Sequence, residues 1–499
     1  MDIKIAVLCD LHLPFLKDTA QYAALDWAIE EIKRQAPEAV VTVGDITACG
    51  EMEAMEAYAE KMKSVPCRKI VLSGNSDIRQ EETRAAVLSH TRSEAVPFDG
   101  ITLVGLCVHD KIITQEDRAL LSSISGRILL FLHYDVHALE KDSLEFLECW
   151  AENRTVHIIH GHKHIETENT WGKINITGLR CLDPDKAKAA PPCIYFLSVS
   201  EDGSVTKEEK PFSFPHDNLA DFKSRIGFSC FCPKTDIPYA SAHGIKAIEV
   251  RKFGGEYGSA SEIAALCENF RHSGGEYVSI HLPTVGWENG SVTGETNFLE
   301  AIALAKLICA DGLTLHAPRV RKDEMYPESI AWDAVLHIVQ KGLASLPENV
   351  WLGIENVHLK DGEPDNGARF FGCKPEECLA WMQAVRAFCQ RENVGITLDT
   401  GHVRSNGSIA KRYTSGVWYE MVGKETVAYH IHQRKFWNEK RRNHMAISDW
   451  YGEEISYASF FWAWQTDRLN HRPLFLEMRN LENCIESYAA LEKIFEIRE

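Results

Sequence analysis

The sequence predicts an α/β protein of two domains, the second of them an eight-stranded β/α barrel. The chain has 499 residues, too many for one ordinary hydrophobic core, so two domains are expected. Through roughly the first 210 residues, short apolar strands alternate with amphipathic helices. Eight further strand–helix units then follow in about 270 residues, which is the size of such a barrel.

We place the first domain at residues 1–213, a linker with a helix around Asn218–Arg225 at residues 214–225, and the barrel at residues 226–499. The charged stretch Glu201–Lys210 gives way there to a segment bounded by prolines, Pro211–Pro215. The strands predicted in the first domain are Lys4–Cys9, Ala39–Val43, Lys69–Leu72, Ile101–Leu106, Arg127–Leu132 and Val156–Ile159, with closing strands between Lys173 and Val199. The strands predicted in the barrel are Gly227–Phe231, Lys246–Val250, Tyr277–Ile280, Leu313–Leu315, Val350–Ile354, Val394–Leu398, Val427–Ile431 and Leu474–Leu476.

The amino-acid composition limits the kinds of molecule that the protein is expected to bind. The formal net charge of −18 disfavours a broad basic surface for nucleic acid, although a nuclease with a local basic groove stays possible. No apolar run reaches the 18 or so residues of a membrane span, and the first residues enter a strand at once, so we expect a cytoplasmic protein with no membrane partner. The 15 cysteines are scattered and form no C-x-x-C pair, which predicts reduced, buried thiols. Oligomeric state is left open.

Five strands of the first domain end in residues that can bind metal. In chain order these are Asp10-Leu11-His12, Gly44-Asp45, Gly74-Asn75, His133 and His160-Gly161-His162-Lys163-His164. Sites in α/β sheets form at the carboxyl ends of strands. Hard oxygen and imidazole ligands that meet there suit Mn, Fe, Zn or similar ions.

This order resembles the calcineurin-like metallophosphoesterase family, whose pattern is D-x-H, G-D, G-N-H-[DE], H and G-H-x-H. The resemblance implies a four-layer αββα sandwich with two divalent metals, Mn²⁺ foremost and Fe, Zn or Ni as alternatives. Two such ions can activate water for in-line attack at phosphorus and neutralise charge on the phosphoryl oxygens. Asp45 would bridge the two metals and, with Asn75, count as catalytic. The implied ligands are Asp10, His12, Asp45 and His164 for one metal, and Asp45, Asn75, His133 and His162 for the other.

One position departs from the family pattern. Gly74-Asn75-Ser76-Asp77 has Ser76 where the family has the histidine that contacts phosphate. Ser76 is counted among the catalytic residues because it can donate a hydrogen bond, but it is no acid near pH 7, so the source of the leaving-group proton is open. His137 is either that donor or an ordinary surface histidine, and we treat His160 as structural.

The same pattern, in which strands end in residues that can bind metal, recurs in the barrel. Strands there end in His281, His316, Glu355, Asp399 (followed by His402), His430 (followed by His432) and Glu477. Charged groups that cap buried strands are costly unless they are paired or metal-bound. A second metal site is therefore expected, and ion pairs with neighbouring Arg and Lys are the alternative.

This half resembles the xylose isomerase-like TIM-barrel superfamily, which includes sugar isomerases, epimerases, inosose dehydratases and endonuclease IV-type enzymes. In the epimerase-like branch one divalent ion is held by residues that match Glu355, Asp399, His430 and Glu477. His430 is preferred to His432 from the motif register. The endonuclease branch has further ligands, which His281, His316 and His402 match. Its late D-x-H pair is half present, because His444 stands in place but Arg442 replaces the Asp.

The resemblance thus implies one to three divalent metals in the barrel, Zn²⁺ or Mn²⁺, with Glu355, His402 and Glu477 as catalytic residues. Residues 433–442 are the most basic segment, and they either bind a phosphate, a phosphorylated sugar or a nucleic acid backbone, or form a solvated loop. The aromatic segment Tyr457–Trp464 is interpreted as a helix packed on the barrel.

Two functions from different classes remain. The first is a bifunctional enzyme for a small phosphorylated metabolite, in which a phosphodiesterase or phosphatase site is joined to a sugar- or polyol-phosphate isomerase, epimerase or lyase. The second is a nucleic-acid phosphodiesterase with an AP endonuclease-like barrel. A barrel that has become a mere scaffold is disfavoured by Glu355, Asp399, His402 and Glu477.

Overall fold

A computed structural model describes residues 3–200, 204–212, 219–360, 362–364, 369–452 and 454–496. The chain divides into two compact units, one of residues 1–214 with 456–459 and one of the remaining residues. This division falls within residues 213–218, which lie outside the described residues, and so does the predicted boundary between residues 213 and 214. Within the described residues, no helix combines the length and the apolar character needed to cross a membrane.

The first unit alternates strands and helices as predicted. Its strands are β1 (Ile3–Leu8), β2 (Ala39–Val43), β3 (Arg68–Leu72), β4 (Glu94–Phe98), β5 (Ile101–Leu106), β6 (Arg127–Leu132), β7 (Thr155–His160), β8 (Thr167–Trp171), β9 (Ile174–Gly178), β10 (Cys193–Val199) and β11 (Val205–Pro211). Its helices are α1 (Ala20–Gln35), α2 (Met52–Met62), α3 (Glu81–Leu88), α4 (Gln115–Ser122) and α5 (Lys141–Ala151), with a 3₁₀ turn at Val136–Ala138. Prediction missed β4, β8 and β11, each of which lies at the edge of its sheet. Strands β8 and β11 are mostly polar, as sheet edges usually are.

Two sheets pack face to face in this unit. Their strand orders are β11-β10-β1-β2-β3 and β4-β5-β6-β7-β9-β8. Side chains of β6 alternate, so that Leu129 and Phe131 enter the core between the sheets while Leu130 enters a second core beneath α4 and α5. On the outer face of the other sheet, the hydroxyl of Tyr58 in α2 lies 2.6 Å from that of Thr42 in β2. These layers form the predicted four-layer αββα sandwich.

The second unit contains the barrel. Its strands are β12 (Ile226–Cys230), β13 (Ala247–Val250), β14 (Tyr277–His281), β15 (Gly286–Glu288), β16 (Ser291–Thr293), β17 (Gly312–His316), β18 (Trp351–Glu355), β19 (Val394–Asp399), β20 (Thr426–Ile431), β21 (Gln433–Trp437), β22 (Lys440–Met445) and β23 (Leu474–Leu476). Its helices are α6 (Leu219–Ser224), α7 (Pro233–Ala242), α8 (Ala260–His272), α9 (Glu295–Leu307), α10 (Ile330–Leu343), α11 (Pro375–Cys389), α12 (Thr400–Arg404), α13 (Ile409–Arg412), α14 (Ser415–Val422), α15 (Ala458–Gln465) and α16 (Leu481–Glu496), with 3₁₀ turns at Gly255–Tyr257 and Gly423–Glu425. Helix α6 lies within the predicted linker.

Eight parallel strands of the described chain close the barrel in the order β12-β13-β14-β17-β18-β19-β20-β23, and β23 pairs back onto β12. All eight were predicted, with ends that differ by at most one residue. Because the strands are parallel, their carboxyl ends meet at one mouth, where the active sites of such barrels form. The predicted (β/α)₈ barrel is confirmed.

The basic segment is an ordered hairpin of β21 and β22 rather than an irregular loop. Its two turn residues, Asn438 and Glu439, have φ values of 47° and 61°. Two-residue hairpin turns of type I′ require such left-handed residues at both positions. Sequence reading missed this hairpin because its strands are charged and lack the apolar alternation of a half-buried strand.

The helix α11 is anchored by Trp381, which is fully buried and meets Trp332 edge-on at a centroid distance of 4.9 Å. We expect Trp381→Ala to lower the free energy of unfolding of the barrel by about 3–5 kcal/mol, because it removes buried area and leaves a cavity. Urea unfolding monitored by circular dichroism measures the change. Gln383→Ala on the exposed face of the same helix is the control and should change the free energy of unfolding by less than about 0.5 kcal/mol. Equal effects of the two substitutions would contradict this placement of Trp381.

Candidate metal centres

The side chains predicted to bind metal in the first unit converge at the carboxyl ends of β1, β2, β3, β6 and β7. They form two adjacent groups whose ligand atoms lie within 4.8 Å of one another in each group. The two groups are Asp10, His12 and His164, and Asp45, His133 and His162. This grouping follows the ligand sets that the resemblance implies.

Asp45 stands between the two groups. Its Oδ2 lies 3.6 Å from Nε2 of His12, and its Oδ1 lies 3.4 Å from Nε2 of His133. One carboxylate oxygen therefore faces each group, which is the arrangement that a bridging ligand needs. The side-chain amide of Asn75 also lies at the second group: its nitrogen donates to His133 Nε2 at 3.2 Å and to His162 Nδ1 at 2.9 Å, and its oxygen accepts from Arg79 at 2.9 Å.

The backbone of these loops is unusual. Asp10, His12, Asp45, His162 and His164 have φ values of 50°, 45°, 49°, 69° and 58°. Left-handed backbone is uncommon for residues other than glycine and persists only where surrounding contacts hold it. Here the His12 N–H donates to the Asp45 carbonyl at 2.9 Å, and the His162 N–H donates to Asp10 Oδ2 at 2.9 Å. Strain at the predicted ligands themselves points to a functional site.

Burial makes this site electrostatically costly without a cation. Asp10 and Asp45 are both buried, and Oδ1 of Asp10 has no hydrogen-bond partner within the described part of the chain. Burial raises the pKa of Asp10 to about 7, against the influence of His133 and with that of the Asp45 charge. Burial would also raise the pKa of Asp45, yet His133, the Ser76 N–H and Arg79 together lower it to about 2. A divalent cation between the carboxylates would relieve this repulsion, so the donor set fits metal ions.

The neighbouring residues orient the ligands. His133 Nδ1 lies 3.0 Å from the carbonyl of Val43 and donates to it, which leaves Nε2 as the lone-pair nitrogen facing Asp45. Asp77 accepts from the N–H groups of Gly74 and Thr47, both at 2.8 Å, and so joins the loops after β2 and β3. A side chain at Gly74 would collide with Asp45 and His133, so the close approach requires glycine.

Ser76, His137 and His160, which the sequence singled out beside the predicted ligands, lie in different surroundings. Ser76 is fully buried; its N–H donates to Asp45 Oδ1 at 2.7 Å, and for its Oγ the described residues offer no hydrogen-bond partner. His137 is exposed, and its ring contacts Trp171 edge-on at 6.0 Å. His160 is buried, with Nδ1 3.0 Å from the carbonyl of Gly161. Arg79, which sequence reasoning missed, donates to the Ala48 carbonyl at 2.6 Å and acts electrostatically on Asp45. Arg79 belongs to none of the sequence motifs that predicted the ligands.

The mouth of the barrel holds three overlapping groups of ligand atoms. Glu355 belongs to two of them, and so does Glu477. The groups are His281, Glu355, His430 and Glu477; His316, Glu355 and His402; and His432, His444 and Glu477. Asp399 lies between them, with Oδ2 3.4 Å from His402 Nδ1 and Oδ1 3.3 Å from His432 Nε2. Each side chain that the sequence predicted for this site is therefore at the cluster.

Several of these atoms have no hydrogen-bond partner among the described residues although they are buried. They are Glu355 Oε1, Asp399 Oδ2, His430 Nδ1 and Glu477 Oε2. The pKa of Glu355 would be raised by burial, yet His316, His430 and His281 hold it well below its usual range. Lone pairs that converge without hydrogens between them fit divalent metal ions. Ion pairing with Arg or Lys, the alternative reading, explains one carboxylate, because Arg251 contacts Glu477.

Glu249 is a residue that sequence reasoning missed. It is fully buried in β13, where its Oε2 lies 2.9 Å from His430 Nε2 and its Oε1 accepts from Thr314 Oγ1 at 2.8 Å. His430 Nε2 thus donates to Glu249, and His430 Nδ1 faces Glu477 Oε2 at 3.0 Å. Glu249 lies within β13 rather than at its end. The sequence prediction selected residues at strand ends and therefore did not include Glu249.

We expect Glu249→Gln to weaken metal binding by the barrel about 10- to 100-fold, because a carboxylate that orients a ligand histidine also raises its basicity. Competition with a fluorescent chelator on the full chain measures the affinity. Glu276→Gln, at an exposed carboxylate, is the matched control and should leave the affinity unchanged. An unchanged affinity in Glu249→Gln would show that Glu249 does not position His430.

The hairpin brings His444 to the cluster. The His444 N–H donates to His432 Nδ1 at 3.0 Å, and His444 Nδ1 lies 3.6 Å from Glu477 Oε1. Its φ of 59° is again left-handed. Arg442, at the position of the family's Asp, is exposed on β22 and pairs across the hairpin with Lys435, so it adds no ligand.

Two cavities flank the barrel cluster and share Thr284 and His316 in their walls. One, of about 500 Å³, is also lined by Arg251, Lys252 and His281. The other, of about 260 Å³, is also lined by His358 and His402. A small polar substrate therefore has space on either side of His316.

Comparison with known proteins gives a family match for each of the two units. A profile for the xylose isomerase-like TIM barrel matches residues 237–494, and one for the calcineurin-like phosphoesterase superfamily domain matches residues 3–184. A curated relative, a probable cyclic nucleotide phosphodiesterase of Xenorhabdus bovienii, is 26% identical over 261 residues, which cover 46% of this chain and 98% of the relative.

Solved structures similar to the chain include a D-tagatose 3-epimerase-like protein and endonuclease IV from Thermus thermophilus. The first is 18% identical, with a TM-score of 0.36, and the match covers 55% of this chain and 97% of that one. The second is 19% identical, with a TM-score of 0.38, and the match covers 55% and 100%.

Proposed function

The chain belongs to the xylose isomerase-like TIM barrel family and carries a calcineurin-like phosphoesterase domain, and we propose that it is a bifunctional metal-dependent enzyme. The first unit would hydrolyse phosphodiesters or phosphomonoesters of a small phosphorylated metabolite. The barrel would isomerise, epimerise or eliminate on a sugar or polyol phosphate. The observation that carries this proposal is the position of Asp45, whose two carboxylate oxygens face two separate groups of candidate ligands.

In the first unit, Asp10, His12, Asp45 and His164 would hold one divalent ion, and Asp45, Asn75, His133 and His162 the other. Bound there, the pair of ions supplies an activated water and neutralises charge on the phosphoryl oxygens. The Ser76 N–H donates to Asp45 Oδ1 and so fixes the orientation of the carboxylate that would be shared by the two ions. Arg79 adds a positive charge beside the site and would bind a phosphoryl oxygen. Since Ser76 cannot protonate a leaving group, the site favours esters whose leaving group needs no acid.

In the barrel, Glu355, Asp399, Glu477 and the histidines around them would hold at least one divalent ion. Such an ion polarises a substrate carbonyl or hydroxyl. Glu355 and Glu477 are buried carboxylates that would bind the ion and shuttle a proton to or from a substrate carbon. His402 lies in the wall of the smaller cavity and would contact the substrate.

Two assays on the full chain test the proposal. The chain supplied with Mn²⁺ should hydrolyse bis-p-nitrophenyl phosphate, and comparison with p-nitrophenyl phosphate separates a diesterase from a monoesterase. The barrel should exchange deuterium from D₂O into a sugar phosphate, which proton NMR detects. Absence of hydrolysis with Mn²⁺, Fe²⁺, Zn²⁺ and Ni²⁺ would exclude the first half of the proposal, and absence of exchange across a panel of sugar phosphates would exclude the second.

A second function is favoured by one observation, the third ligand group formed by His432, His444 and Glu477. A three-group cluster of this kind suits a phosphodiesterase that acts on nucleic acid. Cleavage of DNA that contains an abasic site would support this alternative. The same DNA left intact in the presence of Zn²⁺ or Mn²⁺ would exclude it.

A further inference from the structure

The smaller cavity has positively charged residues in its wall together with residues of the metal cluster. His316 and His402 of the cluster line it, as does His358. Arg319, Lys360 and Phe370 also line it. We call this cavity the Phe370 pocket.

The charged wall is built on ordered backbone. The Arg319 N–H donates to the Val285 carbonyl at 3.0 Å, and the Phe371 N–H donates to the Val320 carbonyl at 2.9 Å. The segment is thus bonded on both sides, like a short strand. Val320 is fully buried, so its neighbours Arg319 and Arg321 lie on the opposite side, and both stand over the ring of Phe370.

Three cations surround that single ring. Arg319, Arg321 and Lys360 lie 5.4, 4.6 and 4.9 Å from its centroid. Arg321 pairs with Glu363 at 3.4 Å. For Arg319 and Lys360, no carboxylate of the described residues lies within ion-pair distance. Two positive charges held together, with no neutralising carboxylate in the described part of the chain, match an anion of two charges.

We propose that the Phe370 pocket binds the phosphoryl group of the barrel's substrate, through Arg319 and Lys360. The proposal rests on the proposed function, because it assigns the residues that would bind the phosphoryl group of the proposed sugar or polyol phosphate. A sugar phosphate with its phosphoryl group on these cations has its carbon chain beside His316 and His402. The pocket would thereby select phosphorylated substrates over the corresponding neutral sugars.

Isothermal titration of the full chain tests the pocket. The protein is first treated with EDTA, so that phosphate binding by metal ions does not contribute, and D-ribose 5-phosphate and D-ribose are the probes. We expect the sugar phosphate to bind and the neutral sugar not to bind. The double substitution Arg319→Gln with Lys360→Gln should weaken binding at least about tenfold, since each charge-assisted hydrogen bond contributes a comparable factor.

The matched control is Arg92→Gln with Lys341→Gln, which removes the same charges from exposed positions elsewhere. Binding by this control that equals binding by the unsubstituted chain supports the proposal. The proposal is overturned if the Arg319/Lys360 variant binds the sugar phosphate as tightly as the unsubstituted chain does. It is also overturned if the unsubstituted chain does not bind the sugar phosphate. If the variant loses binding but the unsubstituted protein exchanges no deuterium, the pocket is supported and the proposed barrel reaction is contradicted. If deuterium exchanges into a neutral sugar and the variant does not change the rate, the barrel reaction is supported and the pocket is contradicted.

Discussion

Asp45→Asn should reduce hydrolysis of bis-p-nitrophenyl phosphate by about three orders of magnitude or more, because both ligand groups lose the negative charge that they share. Asn keeps the size of the side chain and leaves one oxygen, so the loops should fold as before. The remaining acidic ligand of these two groups is Asp10, which alone cannot balance two divalent ions. We therefore expect the metal content of the first unit to fall together with its activity.

Steady-state kinetics and metal analysis of the same preparation measure the two effects. Asp142→Asn, at a carboxylate exposed on α5, is the control and should keep full activity and full metal content. Deuterium exchange by the barrel should be unchanged in both variants. Hydrolysis that survives Asp45→Asn with the metal content unaltered would contradict the bridging role of Asp45.

Much of this site could be read from sequence, since its ligands follow buried strands whose boundaries are sharply marked. Leu132 ends an apolar run and His133 follows it, so a one-residue error in the strand leaves the ligand identifiable. The left-handed backbone at Asp10, His12 and Asp45 could not be foreseen, because it arises from contacts between loops far apart in the chain. Arg79 was missed for the same reason: only tertiary structure brings its charge to Asp45.

In the barrel, prediction failed where a residue acts from within a strand. Glu249 precedes the end of β13 by one residue, and in sequence it reads as an isolated acid among apolar neighbours. Its partner His430 is 181 positions away. The choice between His430 and His432 likewise depended on register, and the structure brings a ring nitrogen of each to the cluster. Residues that position ligands carry no motif of their own, whereas the ligands themselves do.

The two carboxylates shared between barrel groups offer paired tests, because Glu477 has an arginine partner and Glu355 has none among the described residues. Glu477→Gln also leaves the partly buried Arg251 without its carboxylate partner, which by itself would destabilise the barrel. Glu355→Gln lacks this complication. An effect common to both variants is therefore attributable to the metal cluster, and thermal unfolding of each variant shows how much stability is lost.

We expect Glu355→Gln and Glu477→Gln each to weaken metal binding by the barrel more than about a hundredfold, because loss of a ligand costs more than loss of the outer partner that orients one. Deuterium exchange should disappear with the metal, while hydrolysis of bis-p-nitrophenyl phosphate continues at the unsubstituted rate. Metal retained in both variants would place the barrel ion elsewhere. Loss of hydrolysis alongside exchange would show that the two active sites are not independent, since neither glutamate is a ligand of the first unit.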